Sequence, residues 1–432
     1  MTIGSIACEQ TATKLSVTWA GEGQAFLVAS IRSPADAAQA TEESYMRIAE
    51  ALREHNLEVV HERIFGSLSM EPSVMAARHR ALQTCRIPSS NPVSYIQGNP
   101  LWGEGFAGTI IHAISLNGAG DVWTIMDGKE PCGRGWRRKA STYLMLQNIQ
   151  GINGHSRASH LSNGGNTPQP PLTLRGGQGG VTSSLPGAAR PAQARLMLER
   201  AERILRENGA SYRNVARTWF YLSDILDWYA VFNKVRNEKY GEFGIMPGPR
   251  DGDLLLPAST GIRGDSSSGA AAFMDLIAIT GGTGSRPAVR QMTNSAQLDA
   301  FRYGSAFSRA AVIEEPDLSL IEVSGTAAID ERGRSQFVGD IRGQINYTFE
   351  KIEKLIGNEG AGLKDIAAAT VFMKKPEHAS VFWKMAKERG LEEFPAVCVV
   401  ADVCREELLF EIDAEAVVRQ RGQGKDEETD NH

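Results

Sequence analysis

The sequence has few cysteines, no metal-binding spacing and no long apolar run. Its five cysteines are scattered over 432 residues, and an odd, dispersed set argues against a disulfide framework. No CxxC pair and no HExxH motif occurs, so we expect no zinc site and an activity that needs no metal or other cofactor. No apolar stretch approaches the roughly 20 residues of a membrane-spanning helix, so no membrane association is expected.

The sequence also lacks a large excess of charge of either sign. The formal net charge is −5 and no basic block stands out, so we expect no nucleic-acid partner. The N-terminal stretch lacks the basic start and long apolar core of a signal peptide, which favours a cytoplasmic location. The composition, 42% hydrophobic and 22% charged, is that of a globular protein, and the length suggests more than one domain.

One order of helices and strands occurs three times along the chain. In the last copy, "DIRGQINYTFEKIEKLIGNEG" has the apolar spacing of a helix, "LKDIAAATVFMKK" predicts a strand, and "PEHASVFWKMAKERG" predicts a second helix before a closing strand pair. The same order follows "QARLMLERAERILRENGA" and "ATEESYMRIAEALREHN" upstream. Each copy also opens with a candidate strand pair. The predicted unit is therefore ββαβαββ, and the fold class is α+β.

These repeats divide the chain into three units. We expect a degenerate first unit over 10–130, a second over 131–289 and a third over 290–420. A Gly/Pro-rich insertion at 160–180 interrupts the second unit. The polar residues 421–432 form a tail that we expect to be disordered.

A carboxylate lies among apolar residues close to the C-terminus. The stretch "LLFEID" predicts a strand, in which Leu409, Glu411 and Asp413 share one face. Apolar surroundings raise the pKa of a glutamic acid, because the charged form loses its hydration. Glu411 is therefore a candidate proton donor, although the pattern equally allows it to pair with an arginine or to lie on an open sheet face.

Several motifs of the last two units resemble the Rid superfamily, also called YjgF-like or endoribonuclease L-PSP-like, and within it the chorismatases. The motifs are "VARTWFYLSDI", "LPASTGIRG", "YGSAFSRA", "VSGTAAID", "GDIRGQ" and "ADVCREELLFEID", and the resemblance covers about residues 130 to 420. It implies three units that pack like the subunits of a trimer, with active sites in the clefts between neighbours. Three units in one chain then predict a monomer or a weak oligomer.

The resemblance implies that the enol-pyruvyl ether of chorismate is cleaved and that pyruvate is released. A glutamate near the C-terminus of chorismatases resembles Glu411, and a nearby residue that resembles Cys404 varies between their subfamilies. No histidine stands close to Cys404 to activate it, so we expect it to shape the pocket. A tight hairpin over 405–407 would place Ala401, not Cys404, opposite Glu411.

A substrate with two carboxylates calls for arginines. Arg309 of "FSRA" and Arg302 of "FRYGS" are the candidates, and Tyr303 could contact the ring. Gln344 stands at the start of an amphipathic helix, where backbone donors can face an anion, and Ala327 of "VSGTAAID" completes the predicted substrate-binding set. Plainer roles are open for these residues: a structural ion pair, core packing or a helix cap.

One departure from the Rid pattern bears on function. Rid enzymes that hydrolyse imines carry an arginine after a Pro-Ala pair, and the matching places here hold Val397, Ser259 and Ser94. Two other functions remain open: a Rid-type enamine or imine deaminase acting on another small carboxylate, and a non-catalytic ligand-binding protein. The sequence leaves open the ring product and whether the first unit contributes to the site.

Overall fold

The three predicted units each form a sheet of their own. The computed structural model describes residues 12–34, 36–116, 121–139, 141–152, 189–246, 256–281, 289–292 and 306–419. The insertion predicted at 160–180 and the tail predicted at 421–432 lie outside these residues. So do two of the predicted substrate-binding residues, Arg302 and Tyr303.

The first unit has the predicted ββαβαββ order. It consists of β1 (Thr13–Trp19), β2 (Gln24–Ile31), α1 (Ala37–Glu54), β3 (Leu57–Gly66), α2 (Glu71–Thr84), β4 (Ser94–Gln97) and β5 (Phe106–Ser115). Its strands lie in the order β1-β2-β5-β3-β4. Strands β3 and β4 are parallel, and the other neighbours are antiparallel.

The second and third units each carry one more strand before their first helix than predicted. The second contains β6 (Val122–Asp127), β7 (Glu130–Arg138), β8 (Ser141–Gln150), α3 (Arg190–Glu207), β9 (Val215–Leu222), α4 (Ile225–Glu242), β10 (Ala258–Arg263) and β11 (Ala272–Gly281). The third contains β12 (Val289–Met292), β13 (Ala310–Glu314), β14 (Leu318–Ala327), α5 (Ile341–Gly357), β15 (Ile366–Met373), α6 (His378–Glu388), β16 (Ala396–Val400) and β17 (Phe410–Arg419).

The additional strands, β6 and β12, lie at the edges of their sheets. The strand orders are β10-β9-β11-β8-β7-β6 and β12-β13-β14-β17-β15-β16. Because β6 belongs to the second sheet, that sheet begins before residue 131. Both strands are only partly buried, so their sequences lack the strong apolar signal of the central strands.

Four apolar cores hold the three units together. Three of them each pack one sheet against its own two helices. The fourth joins side chains of all three sheets, among them Val60 of β3, Trp219 of β9 and Leu320 of β14. The chain thus builds a pseudo-trimer around a shared centre. Within the described residues, no helix combines the length and the apolarity that a membrane span requires.

Strand β17 has one apolar and one acidic face. Phe410 and Ile412 pack into the helix-covered core of the third unit. Glu411, Asp413 and Glu415 alternate with them and are also buried. Since successive side chains of a strand point to opposite faces, the three carboxyls point away from the helices and towards the neighbouring units.

Candidate active site

A pocket that is partly open to solvent lies between the second and third units. The second unit lines it with Tyr229 and Arg236 of α4 and with Ser259 and Gly261 of β10. The third unit lines it with Phe307, Arg309, Gly325, Ala327, Ile329, Cys404, Arg405 and Glu411. All twelve lining residues therefore come from two of the three units.

Four of the seven residues predicted for the site meet in this pocket: Glu411, Cys404, Arg309 and Ala327. Gln344 lies elsewhere. Its buried side-chain amide donates to the carbonyl oxygen of residue 407 at 2.9 Å and accepts from the backbone N–H of residue 409 at 2.8 Å. Gln344 therefore stabilises the loop before β17 through these two hydrogen bonds. A local helix-start argument could not foresee this contact, because the loop is 63 residues away along the chain.

Glu411 lies on β17 between two neighbouring strands, opposite Ala327 of β14 and Phe372 of β15. It is 5% exposed. The space for its carboxyl exists because residue 325 is glycine: a Cβ there would lie 2.2 Å from Glu411 Oε1. Burial raises the pKa of Glu411 to about 8 and the charge of Asp413 adds to this, while nearby arginines oppose it. The carboxyl is therefore mostly protonated at neutral pH.

Cys404 faces the same pocket as Glu411, and the tight hairpin that would have placed Ala401 opposite the glutamate does not form. Strand β17 pairs with β14 and β15 rather than with β16, and the residues from 401 to 409 form a loop. Burial and the neighbouring Glu411 raise the pKa of the Cys404 thiol to about 12. The thiol is thus protonated and is a poor nucleophile.

Two buried arginines from different units converge on one aromatic ring. The guanidinium carbons of Arg309 and Arg236 lie 5.2 and 5.6 Å from the centre of the Phe307 ring. Arg236 is 1% exposed and donates to the amide oxygen of Asn233 at 2.8 Å. Within the part of the chain that the structure describes, no carboxylate forms an ion pair with it. A buried guanidinium whose partner is neutral favours an anionic ligand.

Sequence reasoning missed Arg236, although a signal was present. Residues 228, 232 and 240 form an apolar stripe at helical spacing, and Arg236 occupies the position between the last two. A charge inside such a stripe is buried on folding. Gly325 belongs to a motif that the sequence had marked, but its purpose depends on the pairing of β14 with β17.

The polar groups of the pocket suit an anion better than a metal ion. They are three guanidinium groups, two hydroxyls, one thiol and one carboxyl. Nowhere in the described ranges do three or more His, Cys, Asp or Glu side chains group as a metal site would require. What the pocket can do chemically is bind a small carboxylate and deliver a proton from Glu411.

Proteins of known structure resemble this architecture of three α+β units in whole or in part. The model of the Endoribonuclease L-PSP family matches residues 300–418, which is the third unit. A crystal structure of chorismatase superposes with a TM-score of 0.56 at 18% identity, covering 83% of this chain and 92% of that one. The fold of this chain is thus similar to that of chorismatase, and its third unit matches the Endoribonuclease L-PSP family.

Single-unit proteins match shorter stretches. Yeast Mmf1 has a TM-score of 0.26 at 16% identity, covering 30% of this chain and 98% of its own. E. coli TdcF with bound serine has a TM-score of 0.24 at 17% identity, covering 30% of this chain and 99% of its own.

Proposed function

We propose that the protein cleaves the enol-pyruvyl ether of chorismate, giving pyruvate and a (dihydro)hydroxybenzoate, with Glu411 as the proton donor. One observation carries the proposal: a buried carboxyl with a raised pKa shares a pocket with two buried arginines. The chorismatase-like fold, which extends over 83% of the chain, supports it.

The proposed reaction begins with proton transfer from Glu411 to the methylene carbon of the enol ether. The resulting cation is stabilised by the adjacent ether oxygen. In one route water attacks the cationic carbon, and the hemiketal collapses as its hydroxyl proton moves to the departing ring oxygen, which releases pyruvate. In the other route a neighbouring hydroxyl of the substrate attacks the ring carbon, the ring carbon–oxygen bond breaks, and pyruvate leaves with the ether oxygen as its keto oxygen. The carboxylate left on Glu411 takes back a proton from the attacking group, so the acid is restored at the end of the cycle.

The two arginines would hold the two carboxylates of the substrate. Arg309 comes from the third unit and Arg236 from the second, so an anchored substrate spans the cleft. Guanidinium groups suit this task because their fork of N–H donors matches a carboxylate. Phe307 lies beside both guanidinium groups and offers an apolar surface to the ring.

The test is pyruvate release from chorismate, followed with a coupled dehydrogenase, for the wild-type protein and for Glu411→Gln. We expect turnover by the wild type and little by the variant. Ammonia release from small imines or enamines is measured in parallel, because Ser259 lines the pocket at the place where imine-hydrolysing Rid enzymes have arginine. Absence of pyruvate with the wild type, or ammonia release without it, would contradict the proposal.

A further inference from the structure

Asp413 lies at the point where the three units meet. It follows Glu411 by two residues on the same face of β17 and is 1% exposed. Its Oδ2 lies 3.6 Å from Nη1 of Arg63, which belongs to the first unit, and 3.3 Å from Nη2 of Arg217, which belongs to the second. The hydroxyl of Thr260, also from the second unit, donates to the same oxygen at 3.0 Å. Every unit thus contributes to one buried ion cluster.

The two arginines of this cluster are held in place from several sides. Their guanidinium carbons lie 4.7 and 4.8 Å from the ring centre of Trp219, so both cations contact the ring. Arg63 also donates to Glu415 at 2.7 Å, and Arg217 donates to the Thr260 hydroxyl at 2.6 Å. Because these groups are buried, removal of one charge would leave its partners uncompensated.

Two connections lead from Asp413 to Glu411. The first is steric: the backbone N–H of Gly325 donates to the Thr260 hydroxyl at 3.0 Å, and Gly325 is the residue whose missing Cβ makes room for the Glu411 carboxyl. The second is electrostatic, since a negative charge two residues away on the same strand face disfavours a second one. Asp413 thus acts on both the position and the charge of Glu411.

We propose that Asp413 is a positioning residue that keeps Glu411 in its acid form, and that Arg63 makes the first unit part of this arrangement. The inference rests on the proposed role of Glu411 as the proton donor. The groups that face Glu411 are Asp413, Cys404, Arg217 and Arg309, with Arg236 and Arg405 also lining the pocket. A substitution that removes the charge of Asp413 leaves the positive charges of Arg217 and Arg309 in place. Because these charges favour the carboxylate form of Glu411, we expect the pKa of Glu411 to fall.

The main test is Asp413→Asn, which keeps the shape of the side chain and an oxygen for Thr260. We expect the alkaline fall of kcat to move to lower pH by about one unit or more, which is about tenfold in kcat on the alkaline side. At acidic pH, kcat should recover towards the wild-type value, because Glu411 is again protonated. A purely structural defect would instead lower kcat by the same factor at every pH.

A second readout does not depend on turnover. The C=O stretching band of protonated Glu411, assigned by its loss in Glu411→Gln, is followed against pH by infrared spectroscopy without substrate. The band should disappear at lower pH in Asp413→Asn than in the wild type. Equal titration in the two proteins would overturn the inference. A shifted titration in a protein that does not turn over chorismate would support the inference and contradict only the proposed reaction.

Thr260→Val is the variant to use if Asp413→Asn does not fold. It removes the hydroxyl that joins Asp413 to Arg217 and Gly325, and it should shift the same band in the same direction by less. The matched control is Thr370→Val, because the buried Thr370 hydroxyl has no hydrogen-bond partner among the described residues and the Thr370 backbone N–H still donates to Asp413. A shift in the control as large as in Thr260→Val would count against the proposal.

The role of the first unit is tested by a double-mutant cycle. Arg63→Met is measured alone and in the Asp413→Asn background. If Arg63 acts through Asp413, its effect on the Glu411 band should vanish once Asp413 carries no charge. Equal shifts in both backgrounds would show that Arg63 does not act through Asp413.

Discussion

The clefts between the three units are built from equivalent strands, yet they are filled differently. On the faces that meet at the shared centre, the strand register pairs Glu411 with Phe372 in the third unit, Phe273 with Tyr221 in the second and Gly108 with Phe65 in the first. Of Glu411, Phe273 and Gly108, only Glu411 has an ionisable side chain.

The opposite wall of each cleft differs as well. Gly261 lines the open pocket, whereas the strand register places the buried side chains of Cys398 and Tyr95 at the corresponding positions of the other units. Between the third and first units, Val397 packs so closely on Gly108 that a Cβ there would lie 2.8 Å from both valine methyl groups. The cleft between the third and first units is thus closed by apolar packing, which stabilises the chain, whereas the cleft between the second and third units is open.

The largest effect that would test this comparison is expected from Glu411→Gln. The amide keeps the shape but has no transferable proton, so kcat should fall by about 10²–10⁴ while KM changes little. In the wild type, kcat should fall as the pH rises through about 8, the pKa of Glu411, because only the protonated form donates. Steady-state kinetics against pH provide the measurement.

The matched control for this variant is Phe273→Leu at the corresponding position of the second unit. It exchanges one apolar side chain of the shared core for another and does not line the open pocket, so kcat should be unchanged. If Glu411→Gln keeps the wild-type kcat, or if both variants lose kcat equally, the clefts do not differ in function as proposed.

Arg309→Ala should have the next largest effect, which is a rise in KM. Truncation of one partner of a buried charge pair costs about 2–5 kcal/mol, which corresponds to a rise in KM of roughly 30-fold or more. Arg236→Met should also raise KM, because its guanidinium comes from the other wall of the pocket. Initial rates against chorismate concentration measure both. If KM is unchanged in the two variants, these arginines do not anchor the substrate.

Gly261→Val would make the open cleft resemble the closed one. A Cβ at Gly261 would lie 3.1 Å from the Tyr229 ring, so a valine must displace Tyr229 or extend into the pocket. We expect kcat/KM to fall by roughly tenfold or more, with little change in Tm.

A truncation in a closed cleft, Val399→Ala, should have the opposite pattern. It creates a cavity in a closed cleft and should lower the free energy of unfolding by about 2 kcal/mol without changing kcat/KM. Thermal denaturation and kinetics on the same preparations separate the two outcomes. If Gly261→Val is fully active, the size of residue 261 does not control access.

The features that sequence reasoning predicted correctly are the repeated helices and strands, which are encoded locally by apolar spacing. Glu411 stood out because a carboxylate interrupts an apolar strand, and its catalytic role stays a prediction. Strands β6 and β12 were missed because edge strands carry a weaker pattern. The convergence of Arg236 and Arg309 on Phe307 depends on the packing of two units, which no local pattern encodes.

The smallest effect is expected from Cys404→Ala. Cys404 lies in the pocket beside Glu411, but its pKa of about 12 keeps the sulfur protonated at neutral pH, and a thiol is not an effective nucleophile. The variant should therefore retain most of kcat, and the added pocket volume should affect mainly whether water or the substrate hydroxyl attacks, seen as a change in the ring product. Kinetics with product analysis by chromatography measure both quantities. A loss of kcat as large as that of Glu411→Gln would show that the sulfur takes part in the reaction. The open cleft would then differ from the closed one by two reactive residues, Glu411 and Cys404.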